Sequence, residues 1–363
     1  MKSSNTTYFS RLDHLRLLAA LMVLFWHGMR YYKQVPTAEL PAFWPLSFAQ
    51  EGHTGVALFM VLSGFIFQTL CRGREINYFE FVRNRVLRIA PLFIFWTLLY
   101  FYTSDVDPAK LFIAIVGLLN KGTVPGVGWT IIVEFQFYLL FPFLLIFSRQ
   151  YGLRYLVCLL LFAVFFRWSI WYTLGTVQDL SYSTIFGRID QFLLGMIGCE
   201  LACRHKQLFQ SRIFLVALIT IWSAIFYRFD SLGGYFDNKG GYPSSTVLWI
   251  YWPFLEGLFY SLITATYLGI NQFIPQSIDR VLAWLGTLSY SFYLNHYIAI
   301  QISYKAFKSI DVETAGFWYA FRFSLLGVFP LMVVMSVMTY YLIERPFLLL
   351  RRPYLKPLAH MPK

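Results

Sequence analysis

Apolar residues along this chain run in long blocks separated by short polar, mostly basic, connections. Ten blocks approach the ~20 residues that a helix needs to cross a bilayer. They fall at about 12–32, 54–71, 86–103, 128–147, 153–174, 182–202, 212–229, 245–270, 281–303 and 319–343. A further stretch, AKLFIAIVGLL at 109–119, is too short to cross alone and is expected as an outer-surface or re-entrant helix. No internal repeat or low-complexity segment interrupts the series. The pattern therefore predicts an all-α, polytopic membrane protein with a single membrane domain over 1–363. Its helical bundle spans about 12–343, and a short basic tail follows at 344–363. Leu15 to Met29 is followed by bulky residues rather than a small-residue cleavage site, so it is expected as a retained first span.

Composition strengthens this reading. The chain is 58% hydrophobic, 20% aromatic and 13% charged, whereas soluble proteins carry about a quarter charged residues. A large soluble core would need charged amphipathic helices around it, and the sequence lacks them. The net charge of +12 does not indicate nucleic acid, because the cations sit in short loops beside apolar spans, where they encode topology. With the amino terminus inside, 19 of the 30 Lys and Arg residues fall in inner segments and 7 in outer ones. The bias alternates correctly through all ten spans and places both termini in the cytoplasm. Cys71, Cys158, Cys199 and Cys203 lie in spans or at their ends, without the spacing of a disulfide framework or a zinc site. No metal site is expected.

Candidate chemistry lies in the ionisable residues within spans, which are costly there and usually face the bundle interior. His27 follows Arg16 by eleven residues. At about 100° and 1.5 Å per residue, both occupy one stripe of the first helix, roughly 16 Å apart in height. Asp13 lies near that stripe. Glu134, in GVGWTIIVEFQFYLLFP, enters its span from outside at a depth similar to His27 and is expected to share its layer. A carboxylate beside an imidazole can set its tautomer and raise its basicity, as a general base requires. Asn295 and His296, counted from Val281, reach the outer half of the ninth span. Lone histidines or glutamates of this kind can also simply bridge helices. Toward the cytoplasm, Arg83, Arg85 and Arg88 cluster at the start of the third span. Guanidinium forks suit phosphate oxygens; lipid anchoring is the plainer role.

The chain resembles the membrane-bound acyltransferase 3 family, which O-acylates bacterial cell-surface glycans. The resemblance rests on RLDHLRLLAALMVLFWH, GHTGVALFMVLSGFIF, RNRVLRIAP, GWTIIVEFQFYLLFP, LGTLSYSFYLNHY and YYLIERPF, in that order. It implies acyl-CoA, most often acetyl-CoA, as a cytoplasmic donor substrate, with no permanently bound cofactor. It also implies a glycan or lipid-linked saccharide hydroxyl as acceptor, membrane lipids as surroundings, and the bacterial inner membrane as location. By the same resemblance His27 is the essential histidine, Arg16, Arg83, Arg85 and Arg88 handle the donor, Glu134 follows Trp129 at the usual glutamate, and His296 is the usual histidine of Tyr-Leu-x-His. The chain departs from the family's usual glycines at His14 and Leu17, and reads GVALF where an acidic residue often precedes Leu-Phe-Phe. No appended soluble transferase domain is expected. The mechanism expected is general-base catalysis by His27, oriented by Glu134, on the acceptor hydroxyl; a covalent acyl-histidine is the competing route. A transporter of a lipid-linked glycan or a non-catalytic subunit of an export machine remain alternative functions. The outer loop at Ser231–Ser245 is a plain connector or part of the acceptor site.

Overall fold

The computed structural model describes residues 9–33, 44, 46–103, 128–236, 241–271, 273–307 and 317–357. The 109–119 stretch lies outside these residues. The principal helices are α1 (Ser10–Lys33), α2 (Gly55–Cys71), α3 (Tyr78–Thr103), α4 (Trp129–Tyr151), α5 (Leu153–Leu174), α6 (Ile185–Arg204), α7 (Arg212–Ser231) and α8 (Leu248–Gly269). Then come α9 (Gln276–Thr287), α10 (Ser289–Phe307) and α11 (Trp318–Leu349). The protein is an all-α, multi-pass membrane protein. Among the described residues six helices are long and apolar enough to cross a bilayer: α2 (counted from Gly52), α3, α4, α5, α7 and α11. The remaining long helices, α1, α6, α8 and α10, carry much of the buried polar chemistry: Asp13, Arg188, Asp190, Glu256, Asn295 and His296 are all buried. A helix surrounded by protein can hold such groups, whereas one facing lipid cannot.

The core is organised around α2 and α6, which share the most extensive helix–helix interface. Two glycines permit the close approach. A Cβ on Gly64 would lie 2.1 Å from the Phe192 carbonyl oxygen, and one on Gly195 would lie 2.2 Å from that of Val61. Small residues at such crossings are how membrane helices gain packing without a hydrophobic driving force. Two buried ion pairs fasten the neighbours of α6: Arg167 of α5 to Asp190 at 2.7 Å, and Arg188 to Glu256 of α8 at 3.2 Å.

Arginines fasten both ends of the bundle. At the end assigned to the cytoplasm, Arg11 donates to the carbonyls of Tyr267 (2.8 Å) and Ile270 (2.6 Å) where α8 finishes, and Arg149 donates to those of Cys71 and Arg74, each at 2.5 Å. Cations fit there, because unpaired carbonyls make a helix C-terminus negative. At the opposite end, Arg30 meets Glu51 at 3.1 Å, the Tyr235 amide donates to Glu51 at 3.0 Å, and Gln178 donates to the Tyr235 carbonyl at 2.6 Å.

Three features differ from the expectation. The ninth span, predicted as one helix over 281–303, is broken at Leu288 into α9 and α10. Gly286 brings α9 against α1: a Cβ there would lie 2.0 Å from the Asp13 carbonyl oxygen. Ile278, Val281 and Trp284 form an exposed apolar stripe on α9, which suits a helix lying at the membrane boundary. The crossing thus restarts at Ser289, so a depth counted from Val281 does not hold for Asn295 and His296. Second, α11 contains wider π-type turns at Phe323–Val328 and Tyr340–Glu344. Third, the segment expected as a plain basic tail continues α11 and then forms a strand. Here β2 (Leu355–Pro357) pairs antiparallel with β1 (Arg74–Ile76), with Ile76 opposite Leu355.

Candidate active site

A cavity of about 600 Å³ lies in the bundle near the end that the loop charges assign to the cytoplasm. Asp13 and Arg16 of α1, Arg85 and Arg88 of α3, and Arg351 line its lower part; Thr130, Glu134 and Tyr293 line it further along the helices. Each cation is placed by its helix. Arg16 pairs with Asp13 at 2.8 Å, one turn below it on α1. Arg88 pairs with Glu344 of α11 at 2.9 Å, and the Ser291 hydroxyl donates to the same carboxylate. Arg85 lies among aromatic faces, with its guanidinium carbon 5.0 Å from the Phe67 ring and 5.4 Å from that of Phe81.

The three arginines grouped by the sequence separate here. Arg85 and Arg88, three residues apart, both reach the cavity. Arg83 is two residues from Arg85, about 200° round the helix, and pairs with Glu80 at 3.4 Å outside the cavity.

His27 and His296 come together, their ring centroids 5.0 Å apart. The His296 Nδ1 lies 2.5 Å from the Tyr293 carbonyl. A carbonyl only accepts, so Nδ1 carries the proton and Nε2 is left with its lone pair. That Nε2 is buried and without a hydrogen-bond partner. The Tyr293 ring lies 5.7 Å from His296, and its hydroxyl accepts from Thr130 at 2.6 Å. Tyr293 therefore joins the cavity wall to the histidine pair.

The expected pairing of His27 with Glu134 is not the one formed. Glu134 accepts from Ser63 at 3.0 Å and from the Tyr138 hydroxyl, and no His27–Glu134 bond occurs among the described residues. The physical reason is helix adjacency: α1 packs against α10, so the residue facing His27 is an α10 histidine. Asn295 is not with this pair. Its amide donates to Thr339 (2.8 Å) and Ser336 (3.3 Å), tying α10 to α11. Trp129 packs on Tyr182 with centroids 5.0 Å apart and does not line the cavity.

Sequence reasoning did not single out Ser63, Tyr138, Tyr290, Tyr293, Arg351 and Tyr354 as cavity residues. Hydroxyls and one more arginine among many carried no distinguishing spacing. His53 lies buried 3.1 Å from Glu51 at the opposite end of the bundle. Burial, offset by the Arg30 charge and by hydrogen bonds, pushes Glu51 up to about 7. Among the described residues no group of three His, Cys, Asp or Glu side chains is placed to hold a metal ion.

The family model described as an acyltransferase domain matches residues 9–341, and the chain belongs to that family. It is similar to YrhL of Bacillus subtilis (strain 168), described as a candidate peptidoglycan O-acetyltransferase. The two are 25% identical over 95% of this chain and 56% of that protein, so the chain spans little more than half of that relative's length. It is also similar to ExoZ of Rhizobium meliloti (strain 1021), an exopolysaccharide production protein. That match is 25% identical over 82% of this chain and 90% of ExoZ. No solved structure gives a significant match.

Proposed function

We propose that this acyltransferase moves an acyl group, acetyl by preference, from cytoplasmic acyl-CoA to a hydroxyl of a cell-surface or lipid-linked glycan, in the bacterial inner membrane. The observation that carries this reading is the cavity itself. Its cationic lower part suits phosphates, and its wall includes Tyr293; neither His27 nor His296 lines it, but the His296 ring lies 5.7 Å from Tyr293 and 5.0 Å from His27. A long thin donor with an anionic head and a reactive thioester end fits that polarity better than a compact solute would. The relatives' printed descriptions, peptidoglycan O-acetylation and exopolysaccharide production, support a glycan acceptor.

In this reading Arg85 and Arg88 hold donor phosphates, with Arg16 beside them, and the thioester is presented toward His27. His27 takes the proton from the acceptor hydroxyl as its oxygen attacks the thioester carbonyl. The carbon–sulfur bond breaks, and the proton passes to the thiolate to release CoA. His296, whose ring packs 5.0 Å from that of His27, is the positioning neighbour for the His27 ring, in place of the glutamate expected from sequence. Glu134, held by Ser63 and Tyr138, belongs to the cavity wall. The covalent alternative transfers the acyl group to the His27 nitrogen first and then to the glycan oxygen. Arg83 is assigned to surface anchoring. Mass spectrometry of surface polysaccharide tests the proposal: cells carrying His27→Ala at normal protein levels should lose the acyl mass. Unchanged acylation contradicts the proposal.

A further inference from the structure

Two of the four arginines lining the cavity are already neutralised, and the other two mark a site. Arg16 has Asp13 and Arg88 has Glu344, while Ser63 and Tyr138 take up Glu134. Arg85 and Arg351 have no acidic side chain within ion-pair distance among the described residues. The Nε of each is buried and has no hydrogen-bond partner. Two partly buried guanidiniums facing one cavity, each with a buried Nε and no carboxylate beside it, favour a shared anionic partner. Burial, then the neighbouring Arg85 and Arg88 charges, push Arg351 down to about 9. That still leaves it cationic at neutral pH, so an anion placed between the two guanidiniums would be favoured.

Arg351 is not on a loose tail. Asn84 of α3 clamps the next residue from both sides, donating to the Arg352 carbonyl (2.7 Å) and accepting from its amide (3.1 Å). Pro353 favours extended backbone before it. The Asn77 amide donates to the Tyr354 carbonyl at 2.8 Å. The Tyr354 ring is buried against Phe81, centroids 5.3 Å apart, and lies 5.9 Å from the Arg85 guanidinium. Pairing of β2 with β1 completes a strap over the cavity's cytoplasmic mouth.

We propose that this carboxy-terminal strap is part of the substrate site: Arg351, on backbone fixed at Arg352 by Asn84 and at Tyr354 by Asn77, forms with Arg85 an anion seat for the phosphate groups of the acyl donor. The inference rests on the acyl-CoA reading above and adds to it a residue beyond the helical bundle. Anionic lipid headgroups offer the same chemistry, so the test separates the two sources.

The experiment measures binding of CoA and of pantetheine, which lacks the phosphates, to the purified full chain in zwitterionic nanodiscs. Losing one charge-assisted phosphate contact should weaken CoA binding about 10- to 100-fold. Arg351→Gln and Arg85→Gln should each show that loss with pantetheine binding unchanged, which also reports an intact fold. Arg351→Lys should recover part of the affinity. The seat is refuted if the parent binds CoA and both Gln variants stay within about twofold of it. It is refuted equally if the CoA loss appears only in discs containing anionic lipid. No CoA binding by the parent would overturn the donor reading itself, and the seat with it.

Discussion

Glu344 is the residue whose removal the structure makes most informative. Its carboxylate is 1% exposed, ion-paired to Arg88 at 2.9 Å, and hydrogen-bonded by Ser291. Breaking a buried pair from one side typically costs about 3–5 kcal/mol, because the surviving charge is left desolvated. Arg88 is 23% exposed toward the cavity, so water can recover part of that, and a cost of about 2–3 kcal/mol is expected for Glu344→Gln. For a chain of this size that lowers the unfolding midpoint by roughly 3–4 °C. The assay is thermal unfolding in detergent of Glu344→Gln, Arg88→Gln and the double variant. Removing both partners leaves no orphan charge, so the double variant should be well above the sum of the singles, with a coupling of about 2 kcal/mol. Glu344→Gln should also let Arg88 compete for donor phosphates, so that added CoA restores its midpoint more than the parent's. Strict additivity would refute the claim that Glu344 is what neutralises Arg88.

Further outcomes follow from the same geometry. The carboxyl of Glu51 is raised from 4.5 to about 7, so the folded state binds the proton more tightly than the unfolded chain. Its contribution is fully present below about pH 4.5 and declines as pH rises through about 7. Glu51→Gln should flatten that slope in a pH series of unfolding midpoints; an unchanged slope would place the titration elsewhere. Gly195→Val should abolish the monodisperse peak on size-exclusion chromatography, since its Cβ would meet the Val61 carbonyl at 2.2 Å. Gly175→Ala, at φ +72° with nothing within 4 Å of the added carbon, should cost only about 1 kcal/mol. A parent-like profile for Gly195→Val would contradict the close α2–α6 crossing. His296→Ala should lower the acylation rate with donor KM little changed, as expected of a group that orients His27. A matching rise in KM would assign His296 to donor binding.

The sequence made the all-α, multi-pass architecture legible, because lipid forces unbroken apolar runs. It also made the Arg16–His27 stripe and the Arg85–Arg88 face legible, since helical phase alone decides them. Partner choice was not legible. Glu134 and His296 were both plausible neighbours of His27, and only the packing of α1 on α10 selects the histidine. The break at Leu288 has no proline to announce it, and Gly286 serves a close contact with Asp13 as much as a turn. The strap was hidden for a different reason. A three-residue strand carries no readable periodicity, and Arg351 looked like one more topology signal until its missing counter-ion placed it in the cavity.

The central claim is that acyl groups enter from the cytoplasmic side and reach a glycan by way of His27. Sealed membrane vesicles of known orientation, supplied with isotope-labelled acetyl-CoA on one face only, test it directly. The account predicts label in glycan only when the donor is on the cytoplasmic face, and none with His27→Ala. Labelling from the opposite face, or undiminished labelling by His27→Ala, would contradict it.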